Sequence, residues 1–390
     1  MKYWRGFLVA AIIGVVTVAI SALAKEYSLL VDMVYPYVSR MILTTLADWS
    51  ATVEFTLWQV LAILMILGLL ATIVLMIVLK WNFFQWLGWI MAGLSLLWCL
   101  HTGVWGLNNY ASPLAEDLRL QVTAYTLKEL ESATIYFRDK ANELAETLPR
   151  DENGDLAFDD FEELAANASN GFESLVYTGE AAVFAGSMQP VKKLEWEKMY
   201  AAMGIAGMTM PLTGEAAVNP LLPGIGLPFT MCHEMAHRMA IAPERDANLA
   251  AFLGCIHHED LQFVYSGYFM AYRYCMNALL SAGSGEASAA AARIATGVNS
   301  YFKADIADYD SFFIQYHKEF ASDVAGAVND TFIKVSGDES GVRSYGEVCD
   351  LLVSWHLQEI VRPNHSNNES NFDPLDKDQV DLSDILEGRE

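Results

Sequence analysis

Three long apolar runs dominate the first 110 residues of the chain. Gly6–Ala24 contains no charged side chain, and Phe55–Leu79 is an uncharged run of 25 residues that ends at Lys80. A third stretch, from about residue 82 to 107, carries four tryptophans concentrated toward its ends, where interfacial aromatic belts lie. About 20 apolar residues suffice for a helix to cross a bilayer. The pattern therefore predicts three transmembrane helices, at about residues 6–24, 55–79 and 82–107.

The first run has a second interpretation as a cleaved signal peptide. Ala22-Leu23-Ala24 has the small-x-small form of a cleavage site, although an uncharged run of 19 residues is long for a cleaved segment. The other two spans keep their orientation under either interpretation. Both interpretations therefore predict the same compartment for the rest of the chain.

Basic residues near the spans predict their orientation. Lys2, Arg5 and Lys80 fall on one side of the membrane, and Lys25 and Arg40 on the other. Because basic residues favour the cytoplasmic side, the N-terminus and the hairpin between the last two spans are expected in the cytoplasm. An odd number of crossings then predicts a multi-pass protein of the cytoplasmic membrane whose C-terminal region is extracytoplasmic.

After residue 110 the pattern becomes amphipathic and mainly helical. A helical pattern runs from Pro113 to about Leu148, and two apolar stretches without helical periodicity, Ala182–Ser187 and Thr209–Leu222, are typical of strands. The later segments with helical patterns are Pro228–Ala240, Glu244–Cys255, Tyr265–Leu280, Glu286–Ala307, Phe312–Val335 and Tyr345–Val361. The polar residues 362–390 predict a disordered acidic tail. The fold is predicted to be mainly α, with an anchor at 1–110 and an α-rich α+β domain with a small sheet at 111–361.

Composition sharpens this division. The chain is 53% hydrophobic yet has a net charge of −24, and residues 1–110 contain only five basic and four acidic side chains. The acidity therefore belongs to the second part of the chain. An acidic surface repels phosphate, which argues against a nucleic-acid partner. The expected partner of the first part of the chain is the lipid bilayer.

The segment His233-Glu234-Met235-Ala236-His237 has the form H-E-x-x-H. Residues four apart share one face of a helix, so His233 and His237 can offer imidazole nitrogens to one tetrahedral zinc ion, Zn2+. Glu234 would reach a zinc-activated water as the general base without binding the metal. The alternative is a core helix with two packed histidines and a surface glutamate.

A catalytic zinc site needs a third protein ligand. Pro243 breaks the first helix and suits the start of a second, which brings Glu244 close to the two histidines. Asn248 shares the face of Glu244 and is expected to support the ligands by hydrogen bonding. Asp246 is the rival ligand, but it lies about 200° around the helix from Glu244 and has a shorter side chain.

Two further parts of such a site are expected. Tyr265, Tyr268, Arg343 and Tyr345 are candidates for stabilising a developing oxyanion, and the sequence leaves the choice among them open. Ala216–Leu222 is a candidate edge strand for pairing with a substrate backbone, or else a plain connecting loop, because Pro220 and Pro223 limit its hydrogen bonding.

His233-Glu234-x-x-His237 followed by Glu244-x-x-Ala247-Asn248-x-x-Ala251 resembles the pattern of gluzincin metallopeptidases. The whole chain more closely resembles an uncharacterised bacterial family of membrane-anchored H-E-x-x-H proteins. The motifs that carry this second resemblance are Trp105-Gly106-Leu107-Asn108, Pro211-Leu212-Thr213-Gly214-Glu215 with Asn219, Leu227-Pro228-Phe229-Thr230 and Ser344-Tyr345-Gly346.

The resemblances imply a zincin-like domain at 111–361 in a membrane-anchored zinc metalloendopeptidase, with a peptide or protein as its substrate. In the gluzincin pattern the glutamate at the position of Glu244 is the third zinc ligand. The sequence thus predicts Glu234 as the catalytic base, His233, His237 and Glu244 as metal ligands, and Asn248 as their support. The alternatives are a catalytically inactive zinc-binding or sensory membrane protein and a structural membrane protein whose histidines only pack.

Overall fold

The computed structural model describes residues 2–152, 154–179, 182–186, 188–316, 326 and 344–363. Among them, four N-terminal helices are long and apolar enough to cross a membrane: α1 (Arg5–Glu26), α2 (Ser28–Ser50), α3 (Leu57–Val78) and α4 (Phe83–Val104). The chain is therefore a membrane protein. The predicted mainly helical fold with a small sheet is also confirmed.

The prediction of three such helices missed α2. Its best window has a mean hydropathy of 1.2, against 2.7 for α1 and 3.1 for α3. Asp32, Arg40 and Asp48 interrupt its apolar pattern, and Pro36 lies inside the helix. Proline removes one backbone donor, but α2 continues through it.

Helices α1 and α4 run parallel and pack through small residues. The backbones of Gly6 and Gly88 are in contact near the start of both helices, and Ala10 and Ala92 are also buried. Small side chains let membrane helices approach closely. A Cβ on either glycine would collide with the opposite helix.

The domain begins with five helices: α5 (Leu114–Asp117), α6 (Leu127–Thr147), α7 (Phe161–Asn167), α8 (Asn170–Tyr177) and α9 (Glu197–Ala202). The single predicted helix from Pro113 is thus two, because Thr126 starts α6 anew by forming a capping box with Glu129. The strand predicted at Ala182–Ser187 is wrong, since Ala182–Phe184 forms a 3-10 turn. A short apolar run does not by itself distinguish a strand from a buried turn.

The sheet has three strands in the order β1 (Lys192–Lys193), β3 (Glu215–Val218), β2 (Gly207–Met210). Strand β3 pairs in parallel with β1 and antiparallel with β2. The predicted strand from Thr209 to Leu222 is thus a hairpin, with a turn that includes Gly214 at φ 67°. Glycine adopts this left-handed conformation without a steric penalty.

The remaining helices are α10 (Leu227–Arg238), α11 (Glu244–Ile256), α12 (Leu261–Ser281), α13 (Gly285–Thr296), α14 (Ser300–Tyr316) and α15 (Ser344–Trp355), followed by a π-helical turn (His356–Val361). The helix predicted at Glu286–Ala307 is interrupted before Asn299, whose side chain accepts a hydrogen bond from the Phe302 amide. The part of the predicted Phe312–Val335 helix after Tyr316, and most of the predicted tail, lie outside the described residues.

Helices α10 and α11 lie in the core. Every residue of α11 from Asp246 to Cys255 is buried, and its Gly254 backbone contacts Gly171 of α8. Pro228 stands in the first turn of α10, where a missing amide donor costs nothing. The H-E-x-x-H segment is therefore held by packing on all sides rather than on a surface helix.

Candidate metal centre

The structure brings His233, His237 and Glu244 to a common point. Nε2 of His237 lies 3.1 Å from Nε2 of His233. The Glu244 carboxylate lies 3.3 Å from His233 Nε2 and 3.6 Å from His237 Nε2. One ligand atom from each of the three side chains can be chosen so that all lie within 4.8 Å of one another.

These separations fit a zinc ion. Ligand atoms about 2.05 Å from a tetrahedral zinc lie about 3.3 Å from each other. The three observed separations, 3.1, 3.3 and 3.6 Å, are close to this value. Two imidazole nitrogens and one carboxylate oxygen are a donor set found in catalytic zinc sites, which keep a fourth position open. The residues therefore fit the predicted metal in both chemistry and spacing.

The short connection between α10 and α11 makes this geometry possible. Ala240 has φ 71°, a left-handed conformation that is unfavourable for a residue with a Cβ, and it turns the chain so that α11 begins at Glu244. The next residue, Ile241, has its carbonyl oxygen 2.8 Å from His237 Nδ1. That contact places a hydrogen on Nδ1, so Nε2 is the nitrogen available to a metal.

Burial and the pairing of the imidazoles with Glu244 determine the charges at the cluster. Burial opposes protonation of His237, but the Glu244 carboxylate outweighs burial and raises the pKa of His237 to about 9. Burial also opposes ionisation of Glu244, yet the two imidazoles hold the pKa of Glu244 well below its usual range. Burial raises the pKa of the nearby Glu234. A divalent cation would compensate the buried negative charge directly.

The Glu234 carboxylate lies between the cluster and strand β2, close enough to interact electrostatically with His233, His237 and Glu244. The Thr209 hydroxyl lies 2.8 Å from the Glu234 carboxylate and 2.8 Å from its backbone carbonyl oxygen. Gly207 makes room for this carboxylate, because a Cβ at that position would lie 2.5 Å from Glu234 Oε1. Glu234 is 5% exposed and is therefore not the surface glutamate of the packing alternative.

The other residues of α11 have separate partners. The Asn248 side-chain oxygen accepts a hydrogen bond of 2.9 Å from the Tyr274 hydroxyl. Asp246, the rival ligand, is directed away from the histidines and accepts a hydrogen bond from the Leu114 amide. The structure thus brings Glu244, and not Asp246, to the two histidines.

The oxyanion candidates lie in different places. Tyr265 donates to Asp305 in a separate ionic cluster, and the Tyr268 ring packs on Tyr136 and Phe137 in the core. Arg343 and the side chain of Tyr345 lie outside the described residues. Neither of the two described candidates has a contact with the three clustered side chains in the structure.

The candidate edge strand is corrected. Ala216–Val218 belong to β3, which lies in the middle of the sheet and is paired on both sides. Strands β1 and β2 are the edge strands, and Thr209 of β2 contacts Glu234. The apolar pattern of the two strands is similar, so only the pairing order distinguishes them.

Sequence reasoning missed several residues that hold the site. Trp105, just after α4, donates from Nε1 to the His237 carbonyl oxygen at 3.1 Å, and its ring packs edge-on against the His237 ring. Thr209, Gly207 and Tyr274 carry no local signal of their role. Trp105 does belong to a motif that supported the family resemblance, which was the available clue.

Comparison with known proteins gives one match. The model of the family described as "Protein of unknown function (DUF3810)" matches residues 31–353. No curated protein and no solved structure matches the chain. Since the match covers most of the sequence, the chain belongs to this uncharacterised family, as its motifs suggested.

Proposed function

We propose that this protein is a membrane-anchored zinc metallopeptidase of the gluzincin type. The observation that carries the proposal is the convergence of His233, His237 and Glu244, with all three donor separations between 3.1 and 3.6 Å, beside the buried carboxylate of Glu234. A packing role for the histidines does not explain why two imidazoles and a carboxylate share one point in the core.

His233, His237 and Glu244 would hold the zinc ion. When bound, zinc would lower the pKa of a coordinated water molecule and polarise the carbonyl group of the substrate. The hydrogen bond between Trp105 and the His237 carbonyl fixes the end of α10, and the Ile241 carbonyl orients the His237 ring. These contacts hold the ligands in place before a metal arrives, which reduces the cost of ordering them.

Glu234 would act as the general base. Its carboxylate accepts the proton of the attacking water and passes it to the leaving amine of the cleaved peptide bond. The Thr209 hydroxyl, 2.8 Å away, restricts the carboxylate to one orientation. The absent side chain of Gly207 keeps the space around Oε1 open.

Strand β2 offers a place for the substrate backbone. It is an edge strand, and one of its sides pairs with β3. The Thr209 hydroxyl of β2 lies within hydrogen-bond distance of the Glu234 carboxylate. An extended peptide that adds to such an edge gains main-chain hydrogen bonds. The proposed substrates are therefore peptides or proteins in extended conformation, and the acidic composition argues against nucleic acid.

The proposed location of the domain is extracytoplasmic. Lys2, Arg5 and Lys80 place the N-terminus and the α3–α4 hairpin in the cytoplasm by the distribution of basic residues. Three crossings, through α1, α3 and α4, would then put the metal centre on the outer side. A reporter fused after residue 300 should be active only outside the cytoplasm, and a cytoplasmic signal would overturn this location.

The test uses the full-length protein in membranes. Glu234→Gln should retain zinc and lose at least about 10³-fold in the rate of cleavage of a general peptide substrate. Glu197→Gln, at the start of α9, is the matched control and should keep both properties. Proteomic comparison of membranes with wild-type protein and with Glu234→Gln would then identify substrates.

The result also separates the proposal from its alternatives. A wild-type protein that binds zinc but cleaves no peptide, in the assay and in membranes, would indicate a zinc-binding or sensory protein. Equal cleavage by wild type and Glu234→Gln would exclude Glu234 as the base.

A further inference from the structure

Helix α2 contacts the domain and its boundary along its whole length. Leu43 packs on Trp105, Ala240 and Ala242, and five hydrogen bonds add to this contact. The pairs are Asp32 with the Ser112 amide (2.9 Å), Ser39 with the Val104 carbonyl (2.7 Å), Arg40 with the Met239 carbonyl (3.1 Å), Gln189 with Asp48 (3.0 Å) and Lys192 with the Ser50 carbonyl (2.8 Å).

The ends of the other three membrane helices show which side of the membrane faces the domain and which is the far side. At the domain side, the Glu215 carboxylate of β3 accepts hydrogen bonds from the first amides of α3, at Leu57 (2.7 Å) and Trp58 (2.8 Å). At the far side, Trp86 of α4 donates to Thr72 of α3, and the start of α1 contacts Gly88. Helix α1 thus begins at the far side, as α4 does.

Both ends of α2 are on the domain side. Leu23, Ala24 and Tyr27, at the end of α1, line an apolar groove together with Leu107, which follows α4. Helix α2 starts directly after this point. It ends at Ser50, whose carbonyl accepts from Lys192 of β1, seven residues before the amide of Leu57. A helix that crossed the membrane would end on the side opposite to its start.

The face of α2 that is turned away from the domain is apolar and exposed. Leu30, Met33, Tyr37 and Met41, spaced three or four residues apart, are each 63–67% exposed. The opposite face is buried at Ser39, Leu43, Ala47 and Ser50. A helix that packs one face on protein and exposes an apolar face with an aromatic residue has the form of an interfacial membrane helix.

We propose that α2 lies in the plane of the membrane interface, with Leu30, Met33, Tyr37 and Met41 against the acyl chains and its buried face on the domain. The partner of this surface is the lipid bilayer, because the surface continues directly from the lipid-facing helices α1 and α4. The chain then crosses the membrane three times, through α1, α3 and α4. The end of the H-E-x-x-H helix, at Met239, lies one helix width of about 10 Å above the lipid.

Spin-label depth in bilayers tests the proposal. Leu30→Cys and Met41→Cys lie on one face of α2, 11 residues apart, and Leu64→Cys and Leu75→Cys are the matched pair on α3. Nitroxides are attached in a Cys99→Ser background, since the other four cysteines are buried. The protein is reconstituted in vesicles of phosphatidylethanolamine and phosphatidylglycerol.

The proposal predicts that both α2 labels lie at one depth, about 5–10 Å into the interface. The α3 labels should differ by about 16 Å in depth, since a helix rises about 1.5 Å per residue. A difference of about 16 Å for the α2 pair as well would overturn the proposal. Protection of the α2 labels from both water-soluble and lipid-soluble paramagnetic relaxants would also overturn the proposal, because that result indicates a protein partner.

Labelling in spheroplasts gives an independent readout. Glu26→Cys and Glu54→Cys, on exposed residues that flank α2, should react with a membrane-impermeant maleimide from the same side as the domain. Lys80→Cys, in the α3–α4 hairpin, should react only from the opposite side. Reaction of the two flanking positions from opposite sides would show that α2 crosses. Neither readout depends on zinc or on peptidase activity.

Discussion

Two buried ionic clusters in the same domain differ in how completely their partners are matched. In the first, Arg150 makes two hydrogen bonds of 2.9 and 2.8 Å to Asp305, and Tyr265 donates to the same carboxylate at 2.6 Å. In the second, Nε2 of His233, Nε2 of His237 and the Glu244 carboxylate lie 3.1–3.6 Å from one another. The first cluster contains a permanent cation and is closed, whereas the second is open, because its positive charge depends on a proton at His237 or on a bound metal ion.

The difference indicates which cluster is structural and which is a site. A buried charge must be paired and hydrogen-bonded to be tolerated, and the Arg150 cluster satisfies this within the protein. The histidine cluster satisfies it with a proton on His237 or with a bound cation in place of that proton. We therefore expect changes in the closed cluster to alter folding alone, and changes around the open cluster to alter metal binding and catalysis.

The largest effect is expected from opening the closed cluster. Arg150→Met leaves the Asp305 carboxylate buried without its cation, which should lower the free energy of unfolding by about 3–5 kcal/mol. Pulse proteolysis in urea measures this in detergent micelles, in the Glu234→Gln background to prevent self-cleavage. The folded variant should retain its zinc.

The double variant Arg150→Met/Asp305→Leu is the control for this prediction. Replacing both charges removes the unpaired carboxylate, so most of the lost stability should return. A double variant less stable than Arg150→Met would show that the cluster is not a closed pair. Loss of zinc from the folded Arg150→Met protein would break the distinction between the two clusters.

Metal removal should affect only the open cluster. A ligand present at about 100 times its Kd contributes about 2.7 kcal/mol to stability, so a zinc chelator should lower the free energy of unfolding by about this amount. The same decrease is expected in Arg150→Met, because the two clusters share no residue. His237→Ala should not respond to the chelator, and a response equal to that of the wild type would indicate a different metal site.

A somewhat smaller effect is expected from Gly207→Ala. The added Cβ would lie 2.5 Å from Glu234 Oε1 and must displace the carboxylate. A displacement of about 1 Å can lower a catalytic rate by about 10²-fold, while the zinc content should stay the same. Gly285→Ala, where a Cβ meets open space, is the matched control in the peptide-cleavage assay. An unchanged rate for Gly207→Ala would argue against Glu234 as the base.

The smallest effect concerns the strained connection of the open cluster. Ala240 has φ 71°, which costs about 1–2 kcal/mol for a residue with a Cβ. Ala240→Gly removes this cost but gains chain entropy on unfolding, so stability should rise by about 0.5–1 kcal/mol. Ala242→Gly, two residues later, should lower it. A destabilised Ala240→Gly would show that the turn is not strained.

The sequence predicted the parts of the site that depend on local spacing. His233, Glu234 and His237 share one helix, and Pro243 marks the start of the next, so the 3.6-residue repeat is enough to place them. Glu244 was preferred over Asp246 from the same repeat. The structure places Glu244 at the histidines and turns Asp246 toward Leu114.

The parts that depend on tertiary packing could not be predicted. The order of the strands, which makes β2 and not β3 the edge, follows from contacts between distant segments. Thr209 and Trp105 meet α10 only in the folded chain. Helix α2 was missed because its charges face the domain, so its hydropathy is low although its outer face is apolar.

The most direct test of the central claim is the zinc content of the purified protein. We expect about one zinc ion per chain in the wild type, and none in His233→Ala or His237→Ala, measured by mass spectrometry of the metal after exhaustive dialysis. His257→Ala, whose Nδ1 contacts the Leu253 carbonyl outside the cluster, should retain its zinc. A wild type without zinc, or variants at His233 and His237 that keep it, would contradict the account.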